Sequence, residues 1–224
     1  MERVPEPELM DDPAQARAYA AADFSEPHDR FVQLFGECFP EVAVRGPVLD
    51  LGCGPADIAC RFARAHPACT VVGVDGSAAM LEEGRRLLAR QGLAERVTLH
   101  RVYLSAETPD PLVPGAPYET VICNSLLHHL ADPMVLWTTL RRVAVPGARV
   151  LVMDLLRPAT PARARELVAA YAGEEPEILR RDFHHSLLAA YRPEEVWQQL
   201  QEAGLSQLAV QVVSDRHFIV HGRL

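Results

Sequence analysis

The chain has 224 residues, of which 49% are hydrophobic and 23% charged, and its formal net charge is −8. This composition is typical of one well-cored globular domain, and the acidic balance argues against nucleic acid or an anionic membrane as the main partner. All 22 basic residues are arginine, which excludes a Schiff-base lysine, a pyridoxal phosphate site and a P-loop lysine.

The cysteines and the first residues indicate the compartment. The five cysteines form no CxxC pair, which argues against a disulfide framework or a zinc knuckle. Residues Met1–Pro13 are acidic and lack the apolar stretch of a signal peptide, and no apolar run approaches the roughly 20 residues that span a bilayer. We therefore expect a soluble, cytoplasmic protein without a membrane partner. A homodimer is compatible with the sequence, which leaves the oligomeric state open.

Residues 1–45 are predicted to form an N-terminal helical cap. Proline and acidic residues open a short helix at Pro13–Ala22, and apolar residues at helical spacing indicate a second helix at Pro27–Phe39. Such a segment can act as a lid that excludes water from a pocket. Within it, Tyr19 and His28 are our candidates for substrate contact.

Residues 46–224 are predicted to form the core domain, because strand and helix signals alternate along them. The predicted strands are Val48–Leu51, Thr70–Val74, Val97–Leu104, Glu119–Asn124, Ala148–Asp154, Leu208–Val213 and His217–His221. The predicted helices are Ala56–Ala65, Ala78–Gln91, Pro133–Val143, Pro161–Ala170 and Pro193–Ala203. This alternation predicts an α/β fold with a doubly wound, mainly parallel seven-stranded sheet, whose last two strands form an antiparallel hairpin. The proline-rich stretch 108–117 is predicted to be a surface loop.

A glycine turn follows the first predicted strand. In Val48–Pro55 a buried strand ends in Gly52-Cys53-Gly54, and Pro55 suits the first turn of a helix. Glycines allow a ligand to approach the backbone closely, and the helix N-terminus offers unpaired N–H groups. This arrangement predicts a nucleotide-type cofactor site, and we interpret Cys53 as a small filler within the turn.

Two acidic residues limit the choice of cofactor. A dinucleotide fingerprint would place its third glycine at position 57, where this chain has Asp57. A carboxylate there would repel a pyrophosphate, which weakens the dinucleotide interpretation without excluding it. Asp75 ends the next strand, where an acidic side chain accepts hydrogen bonds from ribose hydroxyls. Asp75 therefore supports a ribose-bearing cofactor but does not distinguish a dinucleotide from another cofactor that contains ribose.

Three segments resemble the class I S-adenosylmethionine-dependent methyltransferases. They are VLDLGCGPADIA at 48–59, GVDGSAAML at 73–81 and ICNSLLHHL at 122–130. The resemblance is good over residues 46–155 and is nearest to the small-molecule enzymes of bacterial quinone and secondary metabolism. It implies a Rossmann-like methyltransferase fold, with S-adenosylmethionine as the cofactor.

The resemblance also implies positions for the cofactor. Asp50, Gly52 and Gly54 would lie along its methionine part, Asp75 would hold the ribose, Gly76 would lie beside the adenine, and the Asn124 backbone would approach the amino group. Many relatives carry an acid near the adenine where this chain reads Val102-Tyr103-Leu104. Tyr103 and Leu104 are therefore expected to hold adenine by stacking or through the backbone.

Two histidine doublets are candidates for acceptor chemistry. His129 or His128 could remove the acceptor's proton, although a structural role is the alternative for both. Adjacent residues on a helix point in different directions, so we expect at most one of them to face the substrate. His184, in the second doublet, and Tyr191 are predicted to form a pocket wall, with a solvated connection as the alternative. The doublets lack the i,i+4 geometry of a zinc motif and no third ligand is evident, so no metal is predicted.

The sequence thus predicts methyl transfer from S-adenosylmethionine to a small-molecule acceptor. A sulfonium methyl is already activated, so the protein mainly aligns donor and acceptor. The alternatives are an NAD-dependent oxidoreductase with the same turn and a non-catalytic binding module that keeps the cofactor fold.

Overall fold

The computed structural model describes residues 1–6, 9–40, 43–105, 114–115 and 117–224. The helices in this part of the chain are α1 (Pro13–Ala21), α2 (Ser25–Cys38), α3 (Asp57–Ala65), α4 (Ala78–Gln91), α5 (Met134–Val143), α6 (Pro161–Ala172), α7 (Glu177–Ala189) and α8 (Pro193–Glu202). The strands are β1 (Gly46–Leu51), β2 (Cys69–Asp75), β3 (Val97–Arg101), β4 (Tyr118–Asn124), β5 (Ala144–Leu155), β6 (Ala209–Val212) and β7 (His217–Arg223), and a 3-10 turn covers Leu127–His129. Most of the predicted loop at 108–117 falls outside the described residues.

The seven strands form one sheet in the order β3–β2–β1–β4–β5–β7–β6. Strands β1 to β5 pair in parallel, whereas β7 runs antiparallel to both β5 and β6. The predicted sheet and its terminal hairpin are confirmed. The strand order reverses between β1 and β4, and ligands of open α/β sheets bind in the crevice at such a reversal.

Apolar side chains cover both faces of the sheet. On β4, Val121 and Cys123 pack in one buried cluster with Trp137 of α5, whereas Ile122 packs in a second cluster with Phe35 of α2. Alternate residues of one strand therefore serve opposite layers, as a doubly wound sheet requires. Helix α2 belongs to the second layer, while α1 contacts α4 and α7. The domain boundary at residue 45 stays a prediction.

The helix that follows β2 begins and ends at sequence signals. The side chain of Ser77 accepts a hydrogen bond from the Met80 amide at 3.1 Å and so caps the start of α4. Gly92 ends α4 with φ at 67°, a left-handed conformation that glycine adopts readily. These caps fix the position of Asp75 and Gly76, which lie immediately before α4.

Helix α7 is the main element that the sequence analysis missed. Its N-cap residue is Pro176, and no side chain caps its first turn. The start signal of a helix is therefore missing. Leu179 and Leu187 are buried, so packing rather than local sequence stabilises this helix.

Candidate active site

A cavity of about 340 Å³ opens where β1, β2, β4 and β5 end at their carboxyl edge. Residues from the N-terminal segment and from α7 complete its wall. Many of the predicted site residues line it: Tyr19, His28, Asp50, Gly52, Cys53, Gly54, Asp75, Gly76, Tyr103, Leu104, Asn124, His128 and His129. The structure thus brings the predicted cofactor residues and both catalytic candidates together in one cavity.

The two glycines of the turn are needed for different reasons. Gly52 has φ at 69°, and a Cβ atom there would lie 2.9 Å from the Leu126 side chain. Gly54 has φ at 50°, but a Cβ atom there would meet nothing within 4 Å. Gly52 is therefore required for packing, whereas Gly54 leaves free space on the cavity side of the turn.

Asp75 holds the turn in place from the neighbouring strand. Its Oδ2 accepts a hydrogen bond from the Gly54 amide at 2.9 Å, and its Oδ1 accepts one from the Ser77 amide at 2.8 Å. Burial raises the pKa of Asp75, and these two hydrogen bonds oppose the shift. Each carboxylate oxygen still has a lone pair for a further donor.

Asp50 and Asn124 place acceptor oxygens in the cavity. Asp50 is 1% exposed, and burial, followed by the nearby Asp75, raises its pKa well above the ordinary value. Its Oδ2 atom and the Oδ1 atom of Asn124 are buried without a hydrogen-bond partner among the described residues. Buried oxygens of this kind are costly in a folded protein unless a ligand supplies the donors. We call Asp50, Gly52, Gly54, Asp75 and Asn124 the donor wall.

Tyr103 lies beside Gly76, next to the donor wall. A Cβ atom at Gly76 would come within 2.8 Å of the Leu9 side chain and 3.2 Å of the Tyr103 ring. The Tyr103 side chain is large and 49% exposed. Tyr103 lines the cavity, and its exposed ring offers a flat ligand a surface for stacking.

Both histidines of the first doublet face the cavity, contrary to the expectation that at most one would. They lie in a single 3-10 turn, and their ring centroids are 4.3 Å apart. A carboxylate from the N-terminal segment lies against both rings, since Glu6 Oε1 is 3.5 Å from His128 Nε2 and 3.3 Å from His129 Nδ1. The side-chain directions of a long α-helix do not apply here, because the 3-10 turn is short and ends after His129.

His128 is held from behind by Asp154 at the end of β5. His128 Nδ1 is 2.5 Å from Asp154 Oδ1, and Asp154 also accepts from the Leu127 amide at 2.7 Å. Burial alone would lower the pKa of His128, but the carboxylates of Asp154 and Glu6 outweigh it and raise the pKa. We call Glu6, His128, His129 and Asp154 the histidine wall.

The predicted lid residues line the cavity from α1 and α2. His28 Nδ1 is 2.7 Å from Asp57 Oδ2, which also accepts from Arg61 Nε at 2.7 Å. Phe24 stacks between Tyr19 and His28, with centroid distances of 4.7 and 5.3 Å. Burial raises the pKa of Tyr19 to about 12. Asp57, which replaces the third glycine of a dinucleotide motif, therefore fixes the N-terminal region to the core.

Two predicted substrate residues do not line the cavity. On α7, Phe183 and Ser186 face it, and His184 lies outside its lining because successive helical residues point in different directions. The Tyr191 ring packs under the guanidinium of Arg3 at 4.1 Å, and its hydroxyl donates to the Leu130 carbonyl at 3.4 Å. Tyr191 thus supports the N-terminal segment.

Sequence reasoning missed Glu6 and Asp154. Asp154 ends β5 as Asp75 ends β2, so its position at a strand end could have indicated it. Glu6 belongs to no recognisable sequence motif. It lies against the two imidazoles because the guanidinium of Arg3, three residues earlier, donates to the carbonyls of Ala189 and His128 at 2.6 and 2.9 Å.

Several known proteins are similar to this chain in sequence or in fold. Residues 48–148 match the family model described as a methyltransferase domain. An uncharacterized methyltransferase of Mycobacterium bovis is 32% identical over 111 residues, which are 50% of this chain and 51% of that protein. The 27-O-demethylrifamycin SV methyltransferase of Amycolatopsis mediterranei is 28% identical over 168 residues, 75% of this chain and 56% of that enzyme. A SAM-dependent methyltransferase structure from Aquifex aeolicus matches with a TM-score of 0.64 at 19% identity and covers 95% of this chain and 98% of its own.

Residues 48–148 are a methyltransferase domain, and the chain has the fold of S-adenosylmethionine-dependent methyltransferases. The matching family and a solved structure of the same fold, a plantazolicin methyltransferase in complex with SAH, both support the predicted cofactor, S-adenosylmethionine. The chain spans about half the length of the curated relatives it matches. No helix in the described part of this methyltransferase is long and apolar enough to cross a membrane.

The donor wall of this methyltransferase fits the cofactor. The methionine part of S-adenosylmethionine carries an ammonium group, whose donors and charge suit the oxygens of Asp50 and Asn124 that lack a partner among the described residues. Asp75 retains acceptor capacity for the ribose hydroxyls. Gly54 leaves the space that a ligand next to the turn requires.

Proposed function

We propose that this methyltransferase transfers the methyl group of S-adenosylmethionine to a small-molecule acceptor bound in the same cavity. The observation that carries the proposal is the pairing of two walls. The donor wall presents unpartnered acceptor oxygens at the glycine turn, and the histidine wall presents two imidazole rings to the same 340 Å³ space. Donor and acceptor would meet between them.

The protein's own part is binding, orientation and the exclusion of water. When bound, S-adenosylmethionine supplies a methyl group activated by the sulfonium charge, so no strong catalytic group is required. Asp50 and Asn124 would orient the amino end of the cofactor, and Asp75 its ribose. We propose that an acceptor with a proton to lose would lose it at the histidine wall, where His128 and His129 were expected from the sequence.

The acceptor is proposed to be a small, largely apolar molecule. Leu126, Leu130, Met153 and Leu155 contribute apolar surface to the cavity beside the histidine wall. Apolar lining with a few polar groups is typical of small-molecule sites. A relative that is named as a rifamycin methyltransferase supports the same class of acceptor.

We propose that the N-terminal region acts as a lid. Tyr19, Phe24 and His28 form an aromatic row along one side of the cavity, and the hydrogen bond between His28 and Asp57 fixes the end of that row. A cover of this kind excludes water from the reaction.

A thermal-shift titration with S-adenosylhomocysteine and NAD side by side tests this function against the oxidoreductase alternative. We expect S-adenosylhomocysteine to raise the melting temperature, because a ligand that binds only the folded state stabilises it, and NAD to leave it unchanged. Stabilisation by NAD alone would contradict the proposal. A stable protein that responds to neither ligand would favour the non-catalytic binding module.

A further inference from the structure

Three metal-ligating side chains converge at the histidine wall. Glu6 Oε1 lies 3.5 Å from His128 Nε2 and 3.3 Å from His129 Nδ1, and the three ligand atoms all lie within 4.8 Å of one another. The sequence analysis predicted no metal because the histidine doublets had no evident third ligand. Glu6, brought in from the other end of the chain, is that ligand.

The distances suit a shared cation better than direct hydrogen bonds. A charge-assisted N–H···O bond is about 2.7–2.9 Å long, shorter than either distance from Glu6. Ligand bonds to Zn²⁺ of about 2.1 Å in a tetrahedral site put neighbouring ligand atoms about 3.4 Å apart. The two distances, 3.5 and 3.3 Å, lie on either side of that value.

His128 is oriented as metal-binding histidines are. Asp154 Oδ1 lies 2.5 Å from His128 Nδ1, so Nδ1 donates to Asp154 and Nε2, 3.5 Å from Glu6 Oε1, is the nitrogen that can bind a metal ion. Amides of Leu127 and Leu155 fix the Asp154 carboxylate, each at 2.7 Å. A carboxylate behind the ring fixes the tautomer and raises the basicity of the ligand nitrogen.

The carboxylate of Glu6 itself indicates that a cation belongs there. Its side chain is 10% exposed, and its Oε1 atom has no hydrogen-bond partner among the described residues. The nearby guanidinium of Arg3 donates its hydrogen bonds to the carbonyls of Ala189, His128 and Leu130 rather than to Glu6 Oε1. A divalent cation would supply the partner that is missing.

We propose that Glu6, His128 and His129 bind one divalent first-row transition metal ion, of the class to which Zn²⁺ belongs. Two imidazoles and one carboxylate are a ligand set of catalytic sites for such ions and leave a coordination position open. Both histidines line the cavity, so an acceptor hydroxyl can take that position. A metal-bound hydroxyl releases its proton to solvent more readily, and the two imidazoles then act as ligands rather than bases. This last role rests on the proposed function, whereas metal binding does not.

Titration calorimetry of the chelator-treated 224-residue chain with Zn²⁺ tests the site. We expect one ion per chain with a dissociation constant in the micromolar range or tighter. Glu6→Gln and His129→Gln should each weaken binding at least tenfold, because each removes one ligand while keeping a side chain of similar size. His184→Gln is the matched control, since it alters the other doublet and should leave the affinity unchanged.

Absence of a stoichiometric Zn²⁺ site, or a site that Glu6→Gln leaves intact, would overturn the proposal. S-adenosylhomocysteine affinity measured on the same samples separates this result from the proposed function. If the cofactor product binds and Zn²⁺ does not, the metal site is wrong and the methyltransferase function stands. If Zn²⁺ binds as expected and S-adenosylhomocysteine does not, the metal site stands and the proposed function is wrong.

Discussion

The two walls of the cavity are built by different means. The donor wall stands at the ends of parallel strands β1, β2 and β4, and its carboxylate Asp75 is tied to the turn by two amide hydrogen bonds. The histidine wall needs Glu6, which lies 122 residues before His128 and is positioned by the contacts of the N-terminal segment. Cofactor binding should therefore tolerate loss of the Arg3 contacts, whereas acceptor chemistry should not.

The largest expected effect is that of Gly54→Val, which tests whether Gly54 makes space for the cofactor or only relieves backbone strain. In Gly54→Val the new side chain would occupy the free space beside the turn, so we expect S-adenosylhomocysteine to bind at least about 100-fold more weakly, about 2.7 kcal/mol. Calorimetric titration measures this change.

Gly92→Val is the matched control for Gly54→Val. Gly92 also has a positive φ, 67°, and open space around its Cβ position, but it ends α4 away from the cavity. Both variants should lose about 1–2 kcal/mol of stability to the left-handed backbone. Equal loss of binding in both would contradict a ligand role for Gly54.

Arg3→Ala tests the independence of the donor wall. The substitution removes hydrogen bonds to three carbonyls and the contact with the Tyr191 ring. We expect a loss of about 2 kcal/mol in the free energy of unfolding, measured by urea titration, since charged hydrogen bonds contribute about 1.5–3 kcal/mol. The affinity for S-adenosylhomocysteine should change less than about threefold, a few tenths of a kcal/mol.

Arg30→Ala is the control, because Arg30 forms an exposed ion pair with Glu37 and should contribute little. A collapse of cofactor affinity in Arg3→Ala would show that the two walls are not independent.

Tyr103→Ala tests how the donor side holds adenine. Stacking of a base on an aromatic ring contributes about 1–3 kcal/mol, so we expect S-adenosylhomocysteine to bind about tenfold more weakly. Tyr103→Phe keeps the ring and should retain the wild-type affinity. An equal loss in both variants would assign the effect to the hydroxyl group instead.

The smallest expected effect is on the pH dependence of stability and comes from His217, which lies on β7 and lines the cavity. Burial, followed by the neighbouring Arg216, lowers the pKa of His217 to about 4. The unfolded chain then binds more protons than the folded one between this value and about 6.5, so stability falls with falling pH in that window. This one group accounts for about 1 kcal/mol of the loss between about pH 6.5 and 5.5. His217→Gln should show a correspondingly flatter pH dependence in urea titrations, and an unchanged slope would contradict the assignment.

Prediction from sequence worked where local pattern and structure agree. Alternating strands and helices predicted the sheet, a strand end indicated Asp75, and the family resemblance indicated Asp50 and Asn124, all three of which line the cavity. It failed where distant segments meet. Glu6 carries no local signal, and only its contact with the two imidazoles reveals its importance.

Prediction from sequence also failed for His184 and Tyr191, whose side-chain directions depend on packing. Helix α7 lacks a capping residue, so its faces could not be assigned and His184 was placed in the pocket wall. Tyr191 was predicted for its chemistry, yet it packs under Arg3. Side-chain direction depends on packing that the sequence does not state.

Calorimetric titration of S-adenosylhomocysteine into the wild type and Asp50→Asn tests the central claim most directly. We expect one site per chain, with the affinity reduced at least about tenfold, about 1.4 kcal/mol, in the variant, because the amide lacks the charge that attracts the ammonium group. The variant should fold at least as stably as the wild type, since it removes a buried carboxyl group whose Oδ2 atom has no hydrogen-bond partner among the described residues. No binding by the wild type, or equal binding by both proteins, would contradict the account.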